Sequence, residues 1–325
     1  MTRGLVIGKF YPPHRGHKFL IETALRAVDH LDVLICVLAN QTIPGDLRQR
    51  WLQEIHPGAN VMQIEDIGDD DNSEVWAAYT KTILGKAPDF VFTSEDYGDA
   101  YARFLGCKHI PVDRDRQHVP ISGTRVRSNP FAHWDFLEPC VRAHFVRRVC
   151  VVGAESTGTT TLAQELADRY KTVWVPEYGR EYCEKLAAAG VDLWSYRWNS
   201  TEFTHIARAQ VELDRKMARE ANRLLISDTD AFATSIWHER YMRSRSSEVD
   251  AIAVSHPPSL YLLTDCDIPF VQDGLRDGET IRKWMTDRFE DKLDQQRVPW
   301  MKVSGSRAQR LDSAIQRIEP LLAPG

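Results

Sequence analysis

Short runs of apolar and β-branched residues alternate with longer segments of helical periodicity in the first half of the chain. The predicted strands are Leu5–Phe10, Val33–Ala39, Val61–Ile67, Phe90–Ser94 and His109–Val112. The predicted helices between them are Lys18–His30, Leu47–Ile55, Ser73–Leu84 and Ala100–Leu105. Strands and helices that alternate in this way form βαβ units, so the pattern predicts a parallel sheet covered by helices.

The same alternation starts again near residue 147. The second set of predicted strands is Arg147–Gly153, Val173–Pro176, Leu224–Ser227, Ser259–Leu263 and Met301–Ser304. Helices are predicted at Thr160–Tyr170 and Thr201–Arg223. Residues 129–146, between the two sets, contain two prolines and several aromatics but no strand pattern. We therefore expect two α/β domains, at residues 1–145 and 146–325, each with a parallel sheet.

Composition narrows the class of protein. Of the 325 residues, 43% are hydrophobic and 27% charged, and 41 Lys and Arg against 46 Asp and Glu give a net charge of -5. A nucleic-acid-binding protein would show a basic excess. No apolar run approaches the roughly 18–20 residues of a membrane span, and the N-terminus has no signal-peptide core. We expect a cytoplasmic protein with neither nucleic acid nor membrane as a partner, and a homo-oligomer stays possible.

The turn after the first predicted strand carries the first candidate site. Residues 8–17 have the sequence Gly-Lys-Phe-Tyr-Pro-Pro-His-Arg-Gly-His, which places His14 and His17 three apart at the start of a helix. Backbone N–H groups at a helix N-terminus bind anions, and imidazoles can donate to phosphate oxygens. The turn is therefore predicted to hold the phosphates of ATP. The alternative is that both histidines only cap the helix.

A second motif, Ile121-Ser-Gly-Thr-Arg-Val-Arg127, brings two hydroxyls and two guanidinium groups to another helix start. Such groups can bind a triphosphate and stabilise departing pyrophosphate. Together the two motifs resemble the H-x-G-H and I-S-x-T-x-x-R signatures of the nucleotidyltransferase superfamily. The residues at motif positions are Lys9, His14, His17, Ser122, Thr124 and Arg127.

That resemblance implies in-line attack of an acceptor on the α-phosphorus of ATP, without a covalent enzyme intermediate. The two histidines would stabilise charge at the α-phosphate, and Lys9 and Arg127 would do so at the β- and γ-phosphates. Mg²⁺ would bridge phosphate oxygens while it keeps several waters.

A phosphate loop without its lysine opens the second half. Residues 149–161 form a hydrophobic strand that enters Gly153-x4-Gly158 and then a helix, the context of a Walker A loop. Thr159 stands where that motif has lysine, and Thr160 supplies the hydroxyl for Mg²⁺. Either another cation replaces the lysine or the loop binds phosphate without efficient transfer. The predicted nucleotide-binding residues are Gly153, Ser156, Gly158, Thr159, Thr160 and Thr161.

Three later segments favour a kinase-like domain. Residues 176–182 and 225–230 each follow a strand and carry charged groups at its carboxyl end, where α/β proteins bind ligands. Carboxylates there suit Mg²⁺ or the accepting hydroxyl. Residues 273–282 are typical of a mobile lid whose arginines face phosphates. The residues singled out are Glu177, Arg180, Asp228, Asp230, Arg276 and Arg282.

Residues 4 to 322 resemble the bifunctional nicotinamide-mononucleotide adenylyltransferase and ribosylnicotinamide kinase family. The resemblance covers Gly8–His17, Thr93–Gly98, Ile121–Arg127, Gly153–Thr161, Pro176–Tyr182, Ser227–Trp237 and the lid. It implies a Rossmann-like nucleotidyltransferase domain that makes NAD and pyrophosphate from ATP and nicotinamide mononucleotide. A P-loop kinase-like domain that phosphorylates nicotinamide riboside would follow. Some members begin with a helix-turn-helix repressor domain; since the first strand starts at residue 4, we expect none here.

The resemblance also implies further contacts with the two substrates. Gly8 and Phe10 are expected at ATP, and Tyr97, Tyr178 and Arg180 at the nicotinamide substrates. A further candidate for these substrates is the aromatic residue of the segment Asn72-Ser-Glu-Val-Trp. This residue, Trp76, would stack on the nicotinamide, because a pyridinium favours an aromatic face. The alternative is an ordinary core aromatic.

Two other functions fit the same motifs. Because residues that bind ATP do not identify the acceptor, the first half could adenylylate flavin mononucleotide or phosphopantetheine. Because Thr159 replaces the lysine, the second half could be a nucleotide-binding sensor that no longer transfers phosphate.

Overall fold

The N-terminal half folds around a parallel five-stranded sheet. A computed structural model describes residues 1–69, 72–272 and 278–323, and the chain forms two compact units, Met1–Val141 and Arg142–Ala323. The strands of the N-terminal unit are β1 (Arg3–Gly8), β2 (His30–Val37), β3 (Asn60–Glu65), β4 (Phe90–Thr93) and β5 (Lys108–Pro111). The helices up to the boundary are α1 (Arg15–Ala27), α2 (Gly45–Ile55), α3 (Ser73–Leu84), α4 (Gly98–Leu105), α5 (Gly123–Ser128) and α6 (Pro139–Phe145).

The order of this sheet is β3-β2-β1-β4-β5, and every neighbouring pair is parallel. The strand order reverses between β1 and β4, and in doubly wound sheets ligands bind at the carboxyl ends of the strands at such a point. Helices cover both faces of the sheet, with one apolar cluster around Val6, Ile21 and Phe92 and another around Leu5 and Tyr101. The sheet is therefore buried on both sides, as its nearly continuous apolar strands predict.

The C-terminal unit has a second parallel sheet, in the order β10-β9-β6-β8-β7. Its strands are β6 (Arg147–Gly153), β7 (Trp174–Val175), β8 (Leu224–Asp228), β9 (Leu260–Thr264) and β10 (Trp300–Val303). Its helices are α7 (Thr159–Tyr170), α8 (Tyr178–Ala188), α9 (Ser200–Met217), α10 (Ala231–Met242), α11 (Ser247–Ser255), α12 (Arg282–Asp294) and α13 (Arg307–Leu322). Because β6 is the central strand, the phosphate loop that follows it lies at the middle of the sheet edge.

The predicted fold class, two α/β domains with parallel sheets, is confirmed. The largest difference at a helix boundary is at the end of α9, which lies at Met217, not at Arg223; the first helix also ends earlier than predicted, at Ala27 instead of His30. The chain leaves the helix in tight turns, with the Arg219 and Glu220 N–H groups bonded three residues back, at 3.2 and 3.0 Å. Arg223 then adopts a left-handed φ of 65° before β8 begins. The helix must stop early because the chain has to reverse into the sheet.

Within the described ranges, none of the helices combines the length and apolar character that crossing a membrane requires.

Candidate functional site

A cavity of about 380 Å³ opens at the carboxyl ends of β1 and β4, where the strand order reverses. Among the residues that line it are six that the sequence singles out: Gly8, Lys9, Phe10, His17, Trp76 and Tyr97. The fold therefore brings predicted phosphate-binding residues and predicted acceptor-binding residues into one space.

The first histidine of the motif caps helix α1. His14 Nδ1 accepts hydrogen bonds from the Gly16 and His17 N–H groups, at 3.1 and 3.4 Å. The capping interpretation is thus correct for this atom. Because Nδ1 is an acceptor, the ring proton of neutral His14 lies on Nε2, which is left as a hydrogen-bond donor.

The two histidine rings are stacked and uncharged. Their centroids lie 3.7 Å apart with an interplanar angle of 20°. Burial and, to a smaller extent, the charge of Arg116 together lower the pKa of His14 to about 4. Burial, followed by the neighbouring His14 and Arg116, lowers the pKa of His17 well below 6.5. His17 Nδ1 is buried and has no hydrogen-bond partner in the described part of the chain. Buried polar atoms are nearly always paired, so this nitrogen points to a ligand contact.

The second motif contacts the first. Ser122 caps α5 by accepting from the Arg125 N–H at 3.3 Å. Arg127 donates to the carbonyl of Tyr11 and, at 3.1 Å, to the hydroxyl of Thr124. Its guanidinium carbon lies 4.8 Å from the centroid of the Tyr11 ring. The structure therefore joins the two motifs through Arg127, although Ser122, Thr124 and Arg127 do not themselves line the cavity.

Trp76 belongs to both the core and the cavity wall. Its side chain is 9% exposed, it packs in the cluster around Leu5 and Tyr101, and it lines the cavity. Its indole Nε1 donates to the carbonyl of Asp69 at 2.8 Å, which fixes the ring. The Trp76 ring therefore packs in the core and also forms part of the cavity wall, so its position is compatible with both predicted roles, the core aromatic and the stacking partner.

Three charged residues near this cavity belong to no sequence motif, and the sequence did not predict them as site residues. Asp66, whose side chain is fully buried, has its Oδ2 3.6 Å from Lys9 Nζ. Arg48 is 0% exposed and donates to the carbonyls of Lys9 and Cys36. Arg116 bonds Glu95 at 3.0 Å and lies close enough to affect both histidines. Nothing in the sequence distinguishes them from ordinary surface charges, because their neighbours are distant in the chain.

A second cavity, of about 140 Å³, lies at the phosphate loop of the C-terminal unit. The predicted residues that line it are Gly153, Ser156, Thr159, Thr160, Glu177 and Arg180. A Cβ on Gly153 would lie 2.2 Å from Thr264 Oγ1, so only glycine fits there. Gly158 adopts a φ of 87° just before α7. Both glycines of the motif are therefore required by the backbone.

A hydroxyl and a carboxylate lie side by side at this loop. Thr160 Oγ1 donates to Asp228 Oδ2 at 2.5 Å, and Asp228 is 2% exposed. Oxygen ligands of this kind suit Mg²⁺, which takes most of its remaining ligands from water and phosphate. Within the described ranges, no cluster of three or more His, Cys, Asp or Glu residues that could hold a metal ion occurs.

Several of the predicted kinase residues lie outside the cavity wall, among them Asp230, Thr161 and Tyr178. Asp230 caps α10 by accepting from the Ala233 N–H at 3.1 Å, and it also accepts from the Tyr261 hydroxyl at 2.7 Å. Burial raises its pKa. Thr161 is exposed, and the Tyr178 hydroxyl lies 3.2 Å from His205 Nε2. The structure thus gives Asp230 a structural role and does not bring these three side chains to the loop.

The lid arginine Arg282 does not line the cavity. It donates to the carbonyls of Ile268 and Ser156, at 3.0 and 3.1 Å, so it holds the loop backbone. Arg276 lies outside the described residues. A second buried arginine, Arg310, donates to the carbonyl of Thr157. Two arginines from other parts of the unit therefore bond carbonyl oxygens of the phosphate loop.

Aromatic side chains form another part of the same cavity wall. Trp198 lies 5.3 Å from Phe203 and 5.6 Å from Tyr241 between ring centroids, and Trp237 stacks on Tyr241 at 6.5 Å. All four line the cavity. Only the segment 227–237 of the sequence resemblance touches this group, because the rings come from different helices and a loop.

A cysteine completes the wall. Cys183 lines the cavity, and its pKa is raised to about 11, first by burial and then by the charge of Glu177. The thiol is therefore protonated at neutral pH.

Comparison with known proteins agrees with this architecture. Residues 148–310, half of the chain, match the family model described as an AAA domain. The "Trifunctional NAD biosynthesis/regulator protein NadR" of Escherichia coli (strain K12) is 29% identical over 329 residues, which cover 93% of this chain and 78% of the relative. The protein of the same description from Salmonella typhimurium (strain LT2) is 29% identical over 297 residues, 84% and 71% of the two chains.

Two solved structures share the whole fold. One is described as NadR protein in complex with NR, with a TM-score of 0.79, 18% identity and coverage of 99% of this chain and 96% of that chain. The other, NadR protein in complex with NAD and AMP-PNP, has a TM-score of 0.78 and 19% identity, with the same coverage. The protein is thus a two-sheet α/β protein whose C-terminal unit belongs to the AAA-domain class. The chain belongs to the NadR-like adenylyltransferase and ribosylnicotinamide kinase family that its motifs resemble.

Proposed function

We propose that the N-terminal unit transfers adenylate from ATP to nicotinamide mononucleotide, giving NAD and pyrophosphate. The observation that carries this proposal is the single cavity lined by His17, Lys9 and Trp76. The helix N-terminus at His17 and the cation Lys9 can bind phosphates, and the fixed aromatic ring of Trp76 can stack on a planar cation such as the pyridinium. The names of the curated relatives and the NAD in one solved relative support the same chemistry.

The chemistry follows from neutral donors and fixed charges. A phosphate oxygen of the acceptor attacks the α-phosphorus, the bond to the β-phosphate oxygen breaks, and pyrophosphate leaves. The N–H groups of His14 and His17 stabilise charge on the α-phosphate oxygens, while Lys9 and Arg127 offset charge on the leaving group. Mg²⁺, bound to the phosphates, supplies further charge neutralisation.

We also propose that the C-terminal unit phosphorylates nicotinamide riboside. The aromatic wall around Trp198 and Trp237 would bind the pyridinium, and Thr160 with Asp228 would hold Mg²⁺ at the ATP phosphates. Glu177 would accept the proton of the riboside 5′-hydroxyl as it attacks the γ-phosphorus, with ADP as the leaving group. The products are nicotinamide mononucleotide and ADP.

Arg180 is our proposed replacement for the loop lysine. Among the described residues that line this cavity, it alone has a cationic side chain. A guanidinium group can neutralise phosphate charge in phosphoryl transfer, as the lysine does in the standard loop. This assignment takes the place of the lid arginine Arg282, whose Nη1 and Nη2 groups are bonded to carbonyls.

One experiment tests both proposals and their alternatives. The full chain is incubated with ATP and Mg²⁺ and, separately, nicotinamide mononucleotide, nicotinamide riboside, flavin mononucleotide and phosphopantetheine, and products are identified by mass. We expect NAD from the mononucleotide and nicotinamide mononucleotide from the riboside. Adenylylation of flavin mononucleotide or phosphopantetheine alone would refute the first proposal. Calorimetric binding of riboside without product would refute the second and favour a sensor.

A further inference from the structure

We infer that Gln210 is a positioning residue for Glu177, an inference that rests on the proposed riboside kinase activity. Gln210 lies on α9 and is 3% exposed. It lines the same cavity as Glu177. Its side-chain amide bonds the backbone on both sides of Glu177, so it determines where this carboxylate is held.

Gln210 forms two hydrogen bonds to the Pro176–Tyr178 segment, and we call this pair of bonds the clamp. The Tyr178 N–H donates to Gln210 Oε1 at 2.7 Å, and Gln210 Nε2 donates to the carbonyl of Pro176 at 3.2 Å. Glu177 is the residue between these two points. Both bonds come from one rigid amide, so the position and direction of the Pro176–Tyr178 segment are fixed relative to α9.

Gln210 also takes part in capping helix α8. Glu177 is the N-cap residue of α8, and no side-chain hydrogen bond from this residue caps the first turn. The first N–H groups of a helix have no partner within the helix. The amide of Gln210, from a neighbouring helix, satisfies one of them, the Tyr178 N–H. Gln210 therefore holds the start of α8 at the residue that follows Glu177.

Helix α9 is a suitable support for such a clamp. It begins with a capping box between Asn199 and Glu202, and its buried face includes Ile206, Ala207 and Val211 around Gln210. A side chain held on a packed helix transmits that helix's rigidity to the segment it bonds. A misplacement of about 1 Å at a reacting group can reduce turnover about 10²-fold.

The test compares Gln210→Met, which keeps the volume and loses both bonds, with Thr204→Val. Thr204 lies on the same helix, is buried, and bonds Glu248 at 3.2 Å away from the cavity. We expect Gln210→Met to lower kcat for riboside phosphorylation by about 10- to 100-fold, with KM for ATP within about twofold of wild type. NAD formation by the N-terminal unit is the internal control for protein amount and folding, and Thr204→Val is expected to keep kinase turnover.

A double-mutant cycle separates positioning from simple destabilisation. If Gln210 acts through Glu177, then adding Gln210→Met to Glu177→Gln leaves kcat unchanged, because the group being positioned is already gone. Losses that multiply would overturn the inference, as would equal losses in Gln210→Met and Thr204→Val. A wild-type chain that makes NAD but no mononucleotide from riboside would refute the kinase proposal and this inference with it. If Gln210→Met has the same kinase activity as the wild-type protein, the inference is refuted and the kinase proposal stands.

Discussion

At the scale of single residues, the environment rather than the motif decides what the two histidines contribute. Stacked at 3.7 Å and buried, His14 and His17 are neutral at pH 7, so each offers an N–H dipole rather than a charge. The positively charged side chains near the site are instead Lys9, which lies close to the Asp66 carboxylate, Arg116, which bonds Glu95, and Arg127. Fixed dipoles aimed at developing charge need little reorganisation during the reaction, which is what transition-state stabilisation requires.

The first prediction concerns His17. His17→Ala should reduce kcat for NAD formation by about 10²-fold or more, because one preorganised donor is lost. Riboside phosphorylation in the same polypeptide should be unchanged, which shows that the chain is folded. His30→Ala, at an exposed position outside the cavity, is the control. A near-wild-type rate of NAD formation in His17→Ala would remove this residue from the mechanism.

The second prediction concerns acceptor binding by Trp76. Trp76→Ala should raise KM for nicotinamide mononucleotide more than KM for ATP, by about 2- to 30-fold, the equivalent of the roughly 0.5–2 kcal/mol of a cation–π contact. Trp76→Phe keeps an aromatic face but loses the bond to the Asp69 carbonyl, so its effect should be smaller. Equal increases for both substrates would mark the side chain as a core residue only.

The third prediction concerns the missing lysine. Arg180→Ala should reduce kinase turnover by about 10³-fold, the order expected for a catalytic arginine in phosphoryl transfer. Arg208→Ala removes an exposed arginine of α9 that pairs with Glu248 of α11, and it should have little effect. Thr159→Lys should raise ATP affinity and restore part of the turnover lost in Arg180→Ala. Undiminished turnover in Arg180→Ala would show that another cation serves the loop.

At the scale of secondary structure, the phosphate loop depends on side chains from remote elements. Arg310, on α13, is 5% exposed and donates to the carbonyls of Thr157, Gly305 and Asp265 and to the Asp267 carboxylate. The loop is therefore held by the last helix of the unit as well as by its own glycines.

The fourth prediction follows from this support. Arg310→Met leaves several buried acceptors unpaired, so the free energy of unfolding of the C-terminal unit should fall by about 2–4 kcal/mol. KM for ATP in the kinase reaction should rise, while NAD formation should be unchanged. Arg307 lies on the same helix as Arg310 and forms an ion pair at the surface with Glu165 of α7, so Arg307→Met should cost less than about 1 kcal/mol. Denaturation followed by unit-specific proteolysis measures the difference, and equal costs for the two variants would contradict it.

The elements that the sequence predicted well are those with a regular pattern. Both sheets were predicted from apolar runs, and α3 has the predicted bounds, Ser73–Leu84. Helix α10 has no predicted counterpart because it is buried on several sides and therefore shows no single apolar stripe. The two phosphate motifs were predicted because their residues are adjacent in sequence.

Spacing along the chain does not show which of the predicted site residues the fold separates. Asp228 and Asp230 were grouped because they are two residues apart, but Thr229 adopts a left-handed φ of 67° and the chain turns away. Asp230 then caps α10 instead of joining Asp228. Conversely, Gln210 and Arg48 act through contacts between residues more than 30 positions apart, which no local pattern reveals.

At the scale of the whole molecule, the two units have separate sheets and separate cavities, so their stabilities can respond to pH separately. In the N-terminal unit burial lowers the pKa of both His14 and His56 to about 4, against 6.5 for an exposed histidine. Between about pH 6.5 and 4 the unfolded chain therefore binds more protons than the folded one. The free energy of unfolding of the N-terminal unit is therefore highest above about pH 6.5, and it decreases as the pH falls.

The fifth prediction is the resulting pH dependence. Between pH 6.5 and 4.5 the unfolding free energy of the N-terminal unit should fall by roughly 1.4 kcal/mol per pH unit for each such histidine. His56→Gln removes one titrating group, which lies buried outside the cavity, and should make the dependence less steep. Urea unfolding followed by proteolysis of N-terminal fragments at several pH values provides the measurement. Constant stability from pH 7 to 5 would contradict the assigned cause.

The protonation state of the Cys183 thiol, in the cavity at the phosphate loop, determines how readily oxidants can attack it. Peroxides and alkylating agents attack the thiolate, and the pKa of Cys183 is raised to about 11 by burial and by the charge of Glu177, with Arg180 acting in the opposite direction. At neutral pH only about one such thiol in ten thousand is ionised. The carboxylate proposed to activate the riboside hydroxyl thus also protects the cavity from oxidation, so kinase activity should persist under mild oxidants without a reducing agent.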